Sequence, residues 1–275
     1  MSKICIIGMG LIGGSLGMSL KKNLPKSKIH AVIRNSKNIP LILSKKAADE
    51  VFLDAKQAMK DASFIILATP PLAFEEILSE ITPILTPDQI VTDAGSIKNF
   101  VMKLFQKHIG KKAKYIGSHP IAGSELNGIS AAQENLFHEA KCILTPDKNT
   151  QRDTLRQTQE LWKSVGAIPL VKSAGEHDRI FAYVSHTPHL VSFSLAQAIR
   201  HHKDFAKLGG PAWKDMTRVA HSSSGLWAEI AHLNGKYVNE SLDQVIQSLQ
   251  FFKKQLKKKI GSLEKSLKRA QQSLR

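Results

Sequence analysis

Short apolar runs recur through the first 170 residues, each bounded by Gly, Pro or polar residues. They fall at Lys3-Ile4-Cys5-Ile6-Ile7, at residues 28–34, at residues 63–68 and at residues 89–93. Runs of this length with little polar alternation predict strands buried on both faces, as in a parallel sheet. Between them, residues 16–22, 39–46, 74–81 and 97–107 read as helices, and Val51-Phe52 as a brief third strand. Strands alternating with helices at this spacing predict right-handed βαβ units and a doubly wound sheet. Residues 115–117, 141–145 and 167–171 are expected as further extended segments, with a helix over 152–165.

The pattern changes near residue 172. Residues 176–200 read as one long, mostly apolar helix, and Pro188 predicts a kink because it cannot donate to the carbonyl of Val184. From Leu242 to Leu267 apolar residues recur every three or four positions, which predicts one amphipathic helix of about eight turns. The expected fold is therefore an α/β Rossmann-type, doubly wound domain over residues 1–172. An all-α domain over residues 173–275 would follow, its last helix packing on the domain or on a second subunit.

Composition narrows the class. The chain has 275 residues, 42% of them hydrophobic and 23% charged, as in ordinary globular proteins. Residues 4–20 are mostly apolar, but the run is short for a membrane span, glycines interrupt it, and no small-residue cleavage site follows. No membrane association is expected, and the location is expected to be cytoplasmic. Cys5 and Cys142 lie in apolar runs and suit buried thiols in a reducing compartment. The net charge is +16, and half of it lies in residues 253–275, which hold nine Lys or Arg and one Glu. No aromatic residues interleave that basic stretch and no recognition motif accompanies it, which argues against nucleic acid. The moderately basic remainder suits an anionic ligand.

Candidate chemistry starts at Gly8-Met9-Gly10-Leu11-Ile12-Gly13-Gly14-Ser15. A G-x-G-x-x-G turn between strand and helix is the context of a dinucleotide site. Gly8 would permit the turn, Gly10 a close approach to a pyrophosphate, and Gly13 close packing of helix on strand. With Leu11 and Ile12 these residues are the candidate cofactor cradle. The second strand ends in Arg34-Asn35-Ser36 with no acid to bind a ribose 2′-OH, so Arg34, helped by Ser36 and Lys37, favours NADP over NAD. Thr69, Pro70, Asp93, Gly95 and Ser96 fall at carboxyl ends of strands, where ligands sit in such sheets.

Further along, His119 stands in a loop of Gly, Pro, Ser and Glu at another strand end and could take a proton from a hydroxyl near neutral pH. His186 and His189 share a helix face. A metal reading of that pair needs a third ligand, and none is evident, so no metal is expected. Core histidines and histidines facing an anionic substrate both stay open. Arg218 lies in an apolar neighbourhood, which suggests a partner carboxylate.

Several of these motifs together resemble one family. Gly8-x-Gly10-Leu11-Ile12-Gly13-Gly14-Ser15, Asp93-Ala94-Gly95-Ser96-Ile97-Lys98, His119-Pro120-Ile121-Ala122-Gly123-Ser124-Glu125, His177-Asp178, Ser185-His186-Thr187-Pro188-His189 and Asp215-Met216-Thr217-Arg218-Val219-Ala220 are similar to motifs of the prephenate/arogenate dehydrogenases of tyrosine biosynthesis. The resemblance implies oxidative decarboxylation of prephenate or arogenate, with hydride transfer to NAD(P). It implies that His119 is the catalytic histidine and that Ser96 hydrogen-bonds the same substrate hydroxyl. It implies a carboxylate-binding role for Arg218, and a substrate pocket containing His177, His186 and His189, with Ser124, Glu125 and Trp227 nearby. It also implies a helical dimerisation domain and a homodimer. Family members often carry Asp at the end of the second strand, where this chain has Ile33-Arg34. Two alternatives share some of these features. A 3-hydroxyacid-type dehydrogenase would need a Lys base on the long helix. A non-catalytic nucleotide- or nucleic-acid-binding protein would not need His119 and Arg218 together.

Overall fold

The computed structural model describes residues 1–274. Strands β1 (Lys3–Ile7), β2 (Lys28–Val32), β3 (Glu50–Phe52), β4 (Phe64–Leu67), β5 (Ile90–Asp93) and β6 (Lys114–Tyr115) form one sheet in the order β3-β2-β1-β4-β5-β6. Every neighbouring pair in it is parallel. Helices α1 (Leu11–Asn23), α2 (Ile39–Ser44), α3 (Ala55–Met59), α4 (Phe74–Ile81) and α5 (Lys98–His108) make the connections. The near-continuous apolar strands are explained by cover on both faces. Ile4, Ile6 and Ile66 pack with Leu16, Leu20 and Trp162, whereas Cys5, Ile65 and Val91 pack with Phe74, Leu78 and Phe105. The strand order reverses between β1 and β4, which places the ends of those two strands at the topological switch point.

Four expectations are corrected. First, α1 begins at Leu11 rather than at residue 16, so Gly13 and Gly14 lie inside the helix. Gly14 lets α1 pack closely on the 3-10 turn near Ile129, since a Cβ there would fall 2.4 Å from Ile129 Cδ1 and 2.9 Å from Ala132 Cβ.

Second, the extended segment near residue 116 is two strands in two sheets. β6 closes the parallel sheet, and β7 (Gly117–Pro120) leaves it to join β8 (Lys141–Thr145) and β9 (Ile168–Val171). β7 is antiparallel to β8, and β8 is parallel to β9, with α6 (Arg152–Ser164) between them in sequence. β7 can leave because its backbone is satisfied elsewhere. The Ser118 N–H donates to Asp93 Oδ1 at 2.9 Å, and Lys98 Nζ donates to the Ser118 carbonyl at 2.6 Å. A side-chain ion pair thus replaces a ladder partner at that residue.

Third, residues 176–200 form α7 (Ala174–Phe181), a π-helical turn (Ala182–His186) and α8 (Thr187–Ala198) rather than one kinked α-helix. α8 continues without a break from the π-helical turn, so the N–H that Pro188 lacks is accommodated by that widened turn, closed by the Thr187 N–H donating to the Ala182 carbonyl.

After α9 (Lys203–Lys207), α10 (Pro211–Thr217) and α11 (Ser224–Leu233), the last expectation also changes. The C-terminal amphipathic pattern is two helices, α12 (Gly235–Gln255) and α13 (Ile260–Gln272). The break coincides with Lys257-Lys258-Lys259 and precedes Gly261. Clustered like charges weaken helix continuation at the break, whereas Gly261 itself is helical in α13. Among the described residues no helix is long and apolar enough to cross a membrane.

Candidate active site

The glycine turn is shaped by contacts that no side chain could occupy. Gly8 has φ +101°, and a Cβ there would fall 2.7 Å from Thr69 Cγ2 and 2.8 Å from the Ala68 carbonyl carbon. A Cβ on Gly13 would fall 1.9 Å from the Gly8 carbonyl oxygen, so strand and helix touch through bare backbone. Gly10 is different: a Cβ there would meet nothing within 4 Å. α1 starts immediately after it with no side-chain cap and no acid in its first turn. Leu11 and Ile12 therefore present uncapped N–H groups beside open space, with the positive end of the helix dipole behind them. Thr69 Oγ1, at the end of β4 just before Pro70, is buried with no hydrogen-bond partner. These residues fit a dinucleotide, whose pyrophosphate would accept from the α1 amides.

Arg34 is exposed just beyond β2, and its Nη2 donates to Glu76 Oε2 on α4 at 2.7 Å. Asn35 turns inward on its own loop, accepting from the Lys37 N–H at 3.1 Å, and Ser36 opens a short 3-10 turn there. The guanidinium proposed for a 2′-phosphate is thus already shared with a carboxylate, one that no local pattern in the sequence pairs with it.

Asp93 and Gly95 do not present polar side-chain atoms to a ligand. The Asp93 carboxylate is fully buried and is consumed internally by Lys98 Nζ, by the Ser118 N–H and by the Gly95 N–H at 2.8 Å. Its role is to splice β5 to β7. Ser96 is partly exposed on the loop that follows.

His119 lies on β7 one residue beyond that splice. Its Nδ1 is 2.8 Å from His177 Nε2, and His177 Nδ1 is 2.8 Å from Asp178 Oδ1. His177 was expected to line the substrate pocket. Instead it is fully buried between His119 and Asp178, with Phe181 against both imidazole rings. Burial and the nearby Lys98 ammonium hold His177 at a pKa of about 2. Burial, reinforced by His177, Lys98 and His186, keeps His119 well below the usual imidazole range. Both rings are neutral at physiological pH.

On the other side of the site, His186 is buried and His189 is half-buried. Asn234 Nδ2 donates to the Asp178 carbonyl at 2.8 Å, which fixes the orientation of the amide, and the same nitrogen donates to His186 Nδ1 at 3.0 Å. The His186 proton is therefore on Nε2, a buried donor with no partner among the described residues. Burial lowers its pKa to about 4. His189 Nδ1 donates to the Ser185 carbonyl at 2.9 Å, and its ring stacks on Trp227 with centroids 3.4 Å apart. Arg218 Nη1 donates to Glu125 Oε2 at 3.2 Å, but its side chain is 59% exposed, so it forms a surface ion pair rather than sitting in the apolar neighbourhood expected from the sequence. Ser124 is exposed and accepts from the Leu126 N–H.

Sequence reasoning missed Lys98, Asn234, Phe181 and Glu229. Glu229 on α11 accepts from the Leu72 N–H at 3.1 Å and ties the loop after β4 to the helical region. Lys98 did leave a signal: a cation in the first turn of a helix opposes the dipole and needs a special partner. The other three carry no local signal.

Comparison with known proteins identifies the family. Residues 16–170 match the family described as prephenate dehydrogenase, nucleotide-binding domain, and residues 173–269 match prephenate dehydrogenase, dimerization domain. The chain is similar to the prephenate dehydrogenase of Aquifex aeolicus solved with hydroxyphenyl propionate and NAD+, at 31% identity and TM-score 0.92, covering 99% of this chain and 97% of that one. It is similar to the arogenate dehydrogenase of Synechocystis at 28% identity and TM-score 0.82, covering 98% of each chain. A prephenate dehydrogenase of Lactococcus lactis is 32% identical over 88% of this chain and 68% of its own length.

Proposed function

Because this chain belongs to the prephenate dehydrogenase family, we propose that it catalyses the oxidative decarboxylation of prephenate or arogenate, giving 4-hydroxyphenylpyruvate or tyrosine. The observation that carries the proposal is His119. It is a neutral, partly exposed imidazole at the carboxyl-end side of a sheet whose first turn fits a dinucleotide. Its Nε2 accepts the proton of the ring hydroxyl, and Ser96 hydrogen-bonds the same oxygen. NAD(P)+, when bound at the glycine turn, supplies the acceptor for the hydride leaving the hydroxyl-bearing carbon. The ring carboxylate leaves as carbon dioxide, and aromatisation drives the step. Arg218 holds a substrate carboxylate, exchanging Glu125 for it, and the free Nε2–H of His186 donates to a substrate oxygen. His189, Trp227 and Ser124 complete the pocket wall.

Two features of Arg34 bear on cofactor choice. No acid follows β2 to repel a 2′-phosphate, which supports NADP+. The Glu76 carboxylate offsets the Arg34 charge, and the similar Aquifex aeolicus enzyme was solved with NAD+. Arg34 has the greater weight, because a phosphate dianion can displace one exposed carboxylate from a guanidinium. NADP+ is therefore the favoured cofactor, with NAD+ also accepted. We place the division between the nucleotide-binding and helical domains at residue 172. We also propose a homodimer, supported by the exposed Leu249, Leu256 and Ile260 along α12 and the start of α13, and a cytoplasmic location, which the buried free thiols Cys5 and Cys142 suit. Light scattering on the purified protein reads the mass.

The test is a four-way assay of prephenate or arogenate with NAD+ or NADP+, followed by absorbance of the reduced nicotinamide. Reduction in at least one combination is expected. Folded protein that is silent in all four would remove the proposal.

A further inference from the structure

Asp178 accepts three hydrogen bonds. Its Oδ1 takes the Lys98 N–H at 2.8 Å and the His177 ring at 2.8 Å, and its Oδ2 takes the Asn99 N–H at 2.9 Å. Two of these donors are backbone amides at the start of α5, which cannot accept in return. Two backbone amides donating to these oxygens, with the Lys98 ammonium nearby, favour the carboxylate form, so the proton of the third contact is assigned to His177 Nδ1. A neutral His177 with Nδ1 protonated has a bare Nε2. That bare nitrogen faces His119 Nδ1 at 2.8 Å, so the proton between the rings is on His119. A neutral His119 with Nδ1 protonated has a bare Nε2 in turn. The tautomer of the surface-facing ring is thus dictated by a carboxylate two residues away through the network.

We infer that His177 and Asp178 are positioning residues that lock His119 as a proton acceptor at Nε2 and stabilise its imidazolium when it has taken the proton. The inference rests on the dehydrogenase assignment for its kinetic consequence, but the tautomers stand without it. The proton balance closes locally. One proton moves from the substrate hydroxyl to His119 Nε2, the Nδ1 proton stays in its bond to His177 Nε2, and the new positive charge faces Asp178 across the intervening ring. A carboxylate behind an imidazole is the arrangement that fixes tautomer and stabilises imidazolium in hydrolase triads. Here a second imidazole extends it by one link, and Phe181 holds both rings at fixed angles, 64° to His119 and 36° to His177. The same carboxylate caps α5, so the ring that does the chemistry is referenced to the nucleotide-binding domain through a residue of the helical one.

The experiment compares His177→Leu, which removes the acceptor, with His177→Gln, whose amide oxygen can still take the His119 Nδ1 proton. His177→Leu is expected to lower kcat about 10²-fold, on the scale of a lost general base. Substrate KM should change less than about twofold, and His177→Gln should restore about tenfold of the loss. The acid limb of the kcat profile should move to lower pH in His177→Leu, because the imidazolium loses its acceptor. The charged and titratable groups around His119 in that profile are His177, Asp178, Lys98, Asp93 and His186. A raised KM with kcat retained would instead make His177 a substrate contact and overturn the inference, as would unchanged kcat in a variant that melts like the parent. Should His177→Leu fail to fold, nitrogen-15 spectra of histidine-labelled parent protein decide. Nδ1-protonated tautomers are expected for both His119 and His177, assigned against His177→Gln and His119→Asn, and Nε2-protonated rings would overturn the lock. Parent protein with these tautomers but no activity on either substrate would overturn the dehydrogenase assignment and leave the tautomer lock standing.

Discussion

Lys98–Asp93 and Arg34–Glu76 are both side-chain ion pairs, and they sit in opposite surroundings. Both side chains of the first are 0% exposed, while those of the second are 73% and 74% exposed. An exposed pair in high dielectric contributes about 0–1 kcal/mol and yields readily to a competing anion. A buried pair adds little net stability over an apolar substitute, but losing one partner strands a charge out of water. The buried pair also satisfies the backbone of Ser118, so it sets the path of β7 and the place of His119. The exposed pair sits just beyond the carboxyl end of β2, where we propose that a cofactor 2′-phosphate binds. Position, not chemistry, makes one a splice and the other an adjustable contact.

The largest effect expected from breaking this contrast is at the splice. Lys98→Met should lower unfolding free energy by about 3–5 kcal/mol, because it leaves Asp93 buried and unpaired. Urea denaturation measures it, and a loss below about 1 kcal/mol would show that the pair does not hold β7. His119→Asn, which keeps the fold but removes the proton acceptor, should lower turnover by at least about 10²-fold. Near-normal turnover would end its assignment as the base. Arg218→Ala should raise substrate KM about tenfold or more, the scale of a charged hydrogen bond, with a smaller change in kcat. An unchanged KM would take Arg218 out of the pocket.

Stability against pH tests the buried histidines. His119, His177 and His186 have folded pKa values depressed below the unfolded value of about 6.5, two of them to about 2 and about 4. As pH falls below about 6.5 the unfolded chain binds protons that the folded chain cannot. The stability they confer is therefore present above that pH and is lost as pH falls toward the folded values. Burial raises the carboxyls of Asp93 and Asp178, which offsets part of this loss within the carboxylate range. Thermal melts should be flat above neutrality and fall on acidification. A rising melting temperature between about pH 6.5 and pH 5 would contradict neutral buried rings. The smallest effect is at the exposed pair: Glu76→Gln should raise the NADP+ to NAD+ ratio of kcat/KM by about fivefold or less. No change in the ratio would mean that Glu76 does not restrain Arg34.

Much of this was legible along the chain. The parallel strands announce themselves because both faces are covered, which leaves no polar alternation to confuse them. The glycine turn is legible because its constraint is local: only a residue without Cβ fits 1.9 Å from the Gly8 carbonyl or adopts φ +101° beside Ala68. His119 stood out as an imidazole among Gly, Pro, Ser and Glu at a strand end, whereas the apolar company expected of Arg218 is not found, its side chain being 59% exposed. The break between α12 and α13 was hidden because apolar spacing continues through it, and the π-helical turn because Pro188 predicts a bend without its form.

The sequence by itself determined the order and type of most elements, though not all of their limits, together with the glycine turn and the residue types gathered at the strand ends. Periodicity and turn chemistry are properties of a few consecutive residues, so they survive without the fold. Only the tertiary structure decided which polar groups meet. His119 finds His177 across 58 positions, Asp178 caps α5 across 80, and Arg34 finds Glu76 across 42. Partners at such separations are selected by packing, because a buried polar group must take whichever donor or acceptor the fold brings within about 3 Å. That selection turned His177 from an expected pocket residue into the link behind His119, and turned Asp93 from an expected cofactor contact into the splice that holds it.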